Sequence, residues 1–240
     1  MTHTTSPTPE VDAAVRRRLA LVLDVDDVVE AVRLAREMRP WFGVAKVGLE
    51  LYSAVGPDVI APLRELGYDV FIDLKLHDIP TTVGRAARVL GALGASYVTM
   101  HALGGREMLR AGDHGLREGA AAAGLSEPTS LAVTILTSDS GAPSHILGQR
   151  LTTAMEAGCG GVVCAASDLE EARTFAPTMV RVVPGIRLPG DAPDDQARAA
   201  TPADAASAGA DLLVIGRTVT RAVDRCAAAA AVAAQVASTT

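Results

Sequence analysis

One short run of the chain alternates acidic and basic side chains: Asp73-Leu74-Lys75-Leu76-His77-Asp78. Two more charged residues, Asp24 and Lys46, stand at or near the ends of similar apolar stretches upstream. In an extended strand, side chains two apart share a face, so Asp73 and Lys75 point one way, Leu74 and Leu76 point the other, and Asp78 falls past the strand in a loop. If the shared face is enclosed, two carboxylates and two ammoniums converge where an unpaired charge is costly. Such a set reads either as a structural ion-pair network or as charge held in place for chemistry. Burying this many charges is a poor way to gain stability alone, which favours the second reading.

The elements that must position these residues recur at regular intervals. Short β-branched runs end at Asp24, Gly48, Lys75, Ala102, Leu136, Ala166, Gly185 and Gly216, each near-continuously apolar as strands buried on both faces are. Between them lie amphipathic stretches of good helix formers: 28–38, 83–93, 106–123, 144–156, 168–175 and 203–208. Eight strand-helix units in 240 residues predict an α/β fold, a single closed (β/α)₈ TIM barrel, rather than an open doubly wound sheet. The whole chain, 1–240, reads as one domain. Residues 1–9 form a polar, proline-bearing flexible tail, a short helix follows from Glu10 to Arg18, and the alanine-rich C-terminus reads as a last packing helix.

A barrel places its active site at the C-terminal ends of the strands, where the charged run lies. The loops after the seventh and eighth strands supply a second constellation, Pro184-Gly185-Ile186-Arg187 and Gly216-Arg217-Thr218. Barrels commonly bind phosphate there through glycine amides, and Arg187 and Arg217 suit a dianion. The intervening Leu188 to Arg198 is long for such a loop and reads as a lid over a ligand or as a plain solvated loop. His77 and His101 read as hydrogen-bonded scaffold residues. Ser138, Asp139 and His145 lie close together but lack the Gly-x-Ser-x-Gly elbow of a hydrolase.

Composition narrows the classes. With 22 Lys and Arg against 28 Asp and Glu, the net charge of −6 offers no basic stripe for a nucleic-acid backbone, and 3% aromatic content offers no stacking platform. Cys159, Cys164 and Cys226 lack zinc-ligand spacing, and Cys159 and Cys164 flank a strand as core residues do. No apolar run is long enough to span a bilayer, so a reduced, soluble, cytoplasmic protein without membrane or nucleic-acid partners is expected.

Taken together, these motifs resemble the orotidine 5′-phosphate decarboxylase family, in its bacterial short-loop branch. The residues that carry the resemblance are LVLD ending at Asp24, Lys46-Val47-Gly48, DLKLHDIPTTV from Asp73 to Val83, and HALGG from His101. LTS from Leu136, PGIR from Pro184, Asp195-Gln196 with Arg198, and IGRTVTRA from Ile215 complete it. Resemblance implies that Asp24 and Lys46 bind ribose hydroxyls and hold the charge array, that Asp73 faces the substrate carboxylate, and that Lys75 donates the proton replacing carbon dioxide. Asp78, Ile79 and Thr82 would complete the site of a partner subunit in a homodimer. Thr137 or Ser138 would bond the pyrimidine, and Gln196, Arg187, Arg217 and the Gly216 amide would take the phosphate. No cofactor and no metal is implied. The chain departs from the family pattern at Val22-Leu23, where Ala-Leu is usual, and at Val223-Asp224-Arg225, where a proline is common, which bears on the packing of the last helix.

Two rivals share parts of this pattern. Magnesium-dependent sugar-phosphate enzymes resemble it at the third strand but carry glutamate where Lys46 stands, and a lysine there repels Mg²⁺. A non-catalytic phosphate-binding barrel would be expected to have lost Asp73, Lys75 or Asp78, and all three are present.

Overall fold

The computed structural model describes residues 11–136, 143–191 and 198–239. Eight strands close into a parallel barrel: β1 (Leu19–Leu23), β2 (Val44–Val47), β3 (Asp69–Leu76), β4 (Tyr97–His101), β5 (Thr129–Val133), β6 (Gly161–Val163), β7 (Val180–Val183) and β8 (Leu212–Ile215). β8 returns to β1 with Ala20 opposite Val214, so no edge strand is left to pair elsewhere. Period two divides each strand between two cores. Ala20, Val22, Val44, Phe71, Leu131, Val182, Leu212 and Val214 fill the barrel interior, while their neighbours in sequence, among them Leu19, Leu21, Val70, Ile72 and Leu213, pack beneath the helices.

The helices are α1 (Ala13–Arg17), α2 (Val28–Met38), α3 (Leu49–Val55), α4 (Ile60–Glu65), α5 (Pro80–Ala92), α6 (Gly105–Ala122), α7 (Ser144–Ala157), α8 (Leu169–Phe175), α9 (Pro202–Ser207), α10 (Arg217–Thr220) and α11 (Arg225–Ala237). Two of them, α3 and α4, occupy a segment where sequence periodicity marks no helix. Their lengths of 7 and 6 residues, broken by Gly56-Pro57, are too short to show an amphipathic repeat. α5 begins at Pro80, three residues before the periodic stretch at Val83, because proline suits a first helical turn. In α1, Asp12 caps the helix by accepting from the Ala14 amide at 2.6 Å. Asp224, one of the residues that depart from the family pattern, caps α11 by accepting from the Ala227 amide at 2.9 Å, so a capped start replaces the usual proline.

The α5–α6 seam is a backbone-to-backbone contact. A Cβ placed on Gly115 would lie 2.1 Å from the Gly84 carbonyl oxygen, and one on Gly119 would lie 1.9 Å from that of Arg88. The two helices that follow β3 and β4 are therefore held in direct backbone contact.

Candidate active site

Strand β3 is not the plain extended strand that period two describes. Its pairing with β4 slips between Ile72 and Leu76, and Lys75 sits in this bulge with φ 51°, the only non-glycine residue with positive φ among the described residues. Holding a lysine there costs about 1–3 kcal/mol and persists only where the surroundings over-determine it. The side chains nonetheless reach the sides expected. Leu74 and Leu76 pack toward the helix layer, and Lys75 Nζ lies 2.9 Å from Asp73 Oδ1. Lys46, at 8% exposure one of few buried cations, places its Nζ 3.3 Å from Asp73 Oδ2. Each oxygen of Asp73 thus faces an ammonium. Burial works to raise the Asp73 carboxyl, but the two lysines and the hydrogen bonds from Lys75 and Thr99 outweigh it and hold its pKa below the ordinary carboxylate value.

Asp24 follows β1 and lines the same cavity as Lys46, Asp73 and Lys75, a space of about 320 Å³ at the C-terminal mouth of the barrel. Gly48 opens α3 close by. A Cβ there would come within 3.2 Å of Lys46 Nζ and 3.4 Å of Asp24 Oδ1, so glycine is what lets the helix start this near the charges. Asp78 lies outside the cavity, exposed, its Oδ1 accepting from the Ile79 amide at 2.6 Å. Ile79 and Thr82 are exposed beside it. Of the five charged residues read together from sequence, the structure gathers four and leaves Asp78 on the rim.

On the opposite wall Gly185, Arg187, Gly216 and Arg217 line the cavity. Arg187 is 9% exposed and donates to the Ile186 carbonyl at 2.9 Å. The loop stems are tied down. Asp191 accepts from the Leu188 amide at 3.0 Å and from the Thr218 hydroxyl at 2.6 Å, while Arg198 grips both oxygens of Asp168 at 2.8 Å and the Leu136 carbonyl at 3.3 Å. Thr137, Ser138 and Gln196 lie outside the described residues, as do Asp139 and Asp195.

His101 accepts from the Leu103 amide at 3.2 Å and stacks on His77 with centroids 5.7 Å apart, a scaffold role at the rim. Burial, with Arg150, His77 and Lys75 nearby, lowers its pKa. Cys159 and Cys164 are buried and burial pushes both thiols up to about 12, as core cysteines. Sequence reasoning missed Thr99, which is fully buried and bonded to both Asp73 and Lys75. Its signal was available: period two along β4 aims Thr99 inward between Tyr97 and His101, toward the neighbouring Asp73. It missed Asp168 and Asp191 as well, since nothing local ties either to a residue tens of positions away.

Known proteins resemble this chain in sequence and in fold. A profile of the orotidine 5′-phosphate decarboxylase / HUMPS family matches residues 17–232. An orotidine 5′-phosphate decarboxylase of Anaeromyxobacter dehalogenans is 43% identical over 90% of this chain and 97% of its own. One of Parasynechococcus marenigrum is 42% identical over 95% and 97%. The crystal structure of the decarboxylase from Lactobacillus acidophilus superposes with a TM-score of 0.78 at 33% identity, covering 92% of this chain and 99% of that one. The fold, the charged run and these matches agree, and the chain belongs to the orotidine 5′-phosphate decarboxylase / HUMPS family.

Proposed function

We infer that this chain decarboxylates orotidine 5′-phosphate to UMP and carbon dioxide, the last step of pyrimidine nucleotide synthesis. The observation that carries this reading is the Lys46–Asp73–Lys75 array in one cavity with Arg187 and Arg217. When the bond from C6 to the carboxylate breaks, its electron pair stays on C6 as a vinyl-type carbanion that the ring delocalises poorly. The Lys75 ammonium is fixed where that charge develops, so it favours the transition state over the bound substrate, and it then gives C6 a proton as carbon dioxide leaves. Asp73 stands beside the substrate carboxylate. Its hydrogen bond from Lys75 Nζ supports a role in aiming that ammonium. Asp24 and Lys46 take the ribose hydroxyls. Arg187, Arg217, the Gly216 amide and Gln196 take the phosphate, and Thr137 or Ser138 takes the pyrimidine.

Asp78, Ile79 and Thr82 serve the cavity of a second copy in a homodimer. Their exposure beside the cavity rim, together with the exposed Leu103 and Leu49, supports this assignment. Among the described residues no helix is long and apolar enough to cross a membrane, and a cytoplasmic location belongs to the same reading.

The family description also covers enzymes of the HUMPS type, and the magnesium-dependent sugar-phosphate reactions are the second reading. Lys46 argues against it: an ammonium 3.3 Å from Asp73 Oδ2 stands where a cation held by that carboxylate would sit. The test is a continuous ultraviolet assay with orotidine 5′-phosphate in excess EDTA, run beside Lys75→Ala. Absorbance loss that needs Lys75 but not metal is the expected result, and no absorbance change with the intact protein refutes the reading.

A further inference from the structure

We propose that Thr99 is the positioning residue for Lys75, its one hydroxyl holding both the strained backbone of the lysine and the carboxylate that aims its ammonium. This rests on the decarboxylase reading above. The bulge in β3 interrupts the ladder with β4 between the Ile72–Val98 and Leu76–Met100 pairs. Lys75 falls inside the gap, and its backbone N–H donates to Thr99 Oγ1 at 2.9 Å. A side chain therefore takes the place of the carbonyl that a regular ladder would offer, as a buried amide requires.

The same hydroxyl directs its proton to Asp73 Oδ1 at 3.0 Å, the oxygen that also receives Lys75 Nζ at 2.9 Å. A hydroxyl carries one donor and two acceptor lone pairs, so donating to Asp73 and accepting from Lys75 uses both of its capacities. Thr99 is 0% exposed, so its hydroxyl is committed to these protein partners and not to bulk water. The three groups form a closed ring, from Lys75 N–H to Thr99, from Thr99 to Asp73, and from Asp73 back to Lys75 Nζ. That ring specifies a left-handed residue near the C-terminal end of a strand and points its ammonium in one direction.

Valine matches threonine in shape but makes neither bond. In Thr99→Val the Lys75 amide loses its acceptor, Asp73 loses a donor, and the bulge is free to relax toward a regular strand, which moves Nζ. A displacement of about 1 Å at a reacting group costs on the order of 100-fold. The expected result is a kcat about 100-fold below wild type, with KM for orotidine 5′-phosphate and Kd for UMP within about threefold, because the phosphate and ribose contacts lie elsewhere. Thr99→Ser restores the hydroxyl and brings kcat back to within about tenfold of wild type.

An unchanged kcat in Thr99→Val overturns the proposal. Equal losses in the valine and serine variants, with UMP still bound, overturn it too, because the methyl group would then be what matters. Loss of UMP affinity in step with kcat marks a general structural role and overturns it as well. If Thr99→Val does not fold, Thr99→Cys, close in volume and a weak donor, is measured the same way. There an intermediate kcat supports the proposal and a wild-type kcat overturns it. Inactivity of the wild-type protein instead overturns the decarboxylase reading and this one with it, so the two failures are told apart by the wild-type control.

Discussion

Arg198 ties the stem of the loop after β7 to the start of the loop after β5, and its removal separates them. Its Nη1 donates to both Asp168 oxygens at 2.8 Å and its Nη2 to the Leu136 carbonyl at 3.3 Å. The two side chains are mostly buried, 21% and 10% exposed. Truncating one partner of a buried pair costs about 3–5 kcal/mol when the other charge is stranded. Asp168 would keep the Ala165 amide at 3.3 Å and the Ser167 hydroxyl at 3.1 Å, so its charge is only partly stranded. Arg198→Ala is therefore expected at about 2–3 kcal/mol, below that range, or a Tm lower by about 4–12 °C for a chain of this size. The substrate effect follows from the released Leu136 carbonyl and loop stem. KM for orotidine 5′-phosphate rises about tenfold, equivalent to about 1.4 kcal/mol, with kcat changing less. Thermal unfolding of Arg198→Ala, Asp168→Ala and the double variant, with steady-state kinetics on each, measures both quantities. A coupling energy below about 0.5 kcal/mol in that cycle, the level of independent sites, refutes the reasoning.

Three further outcomes are expected. With Asp78 completing the site of a second copy, as proposed, mixing inactive Lys75→Ala with inactive Asp78→Asn would restore about a quarter of wild-type activity, since random pairing would put both defects in one site of each mixed dimer and leave the other intact; no recovery on mixing counts against shared sites. Gly119→Ala, whose Cβ would lie 1.9 Å from the Arg88 carbonyl oxygen, forces α5 and α6 apart. It is expected to destabilise by about 1–3 kcal/mol in urea unfolding, and a variant as stable as wild type contradicts a backbone-to-backbone seam. Because the Asp73 pKa is depressed in the folded state, its contribution to stability is complete above about pH 4 and is lost as pH falls through the lower folded value. Wild type should accordingly lose stability faster than Asp73→Asn on acidification below that point, whereas parallel curves would remove the assignment.

The barrel was legible because its strands announce themselves. Runs such as Leu19–Leu23, wholly apolar and bounded by polar residues, require burial on two faces, and that requirement repeated eight times leaves few architectures. Asp73 and Lys75 were legible for the same reason, through period two, although the backbone between them departs from it. Sequence spacing reports which side of a strand a residue serves and says little about how the chain gets there, so the bulge and its left-handed lysine were invisible. Thr99 was hidden by its chemistry: a threonine in a strand is ordinary, and only the neighbouring strand turns its hydroxyl into a partner. Asp168 and Arg198 are separated by 30 positions and meet only because successive βα units bring them together.

The left-handed backbone at Lys75 sets stability against activity at a single position. Glycine adopts that φ without penalty and asparagine with little, so either would relieve the strand while removing the ammonium. The same exchange removes the 2.9 Å ion pair to Asp73, so the relief of the backbone is set against a buried carboxylate that keeps only one of its two ammoniums. A laboratory selection scored on thermal tolerance alone would weigh those two terms and give no credit to the chemistry of the ammonium. Engineering for robustness should hold Lys75, Thr99 and Asp73 fixed and seek its gains at positions outside this ring.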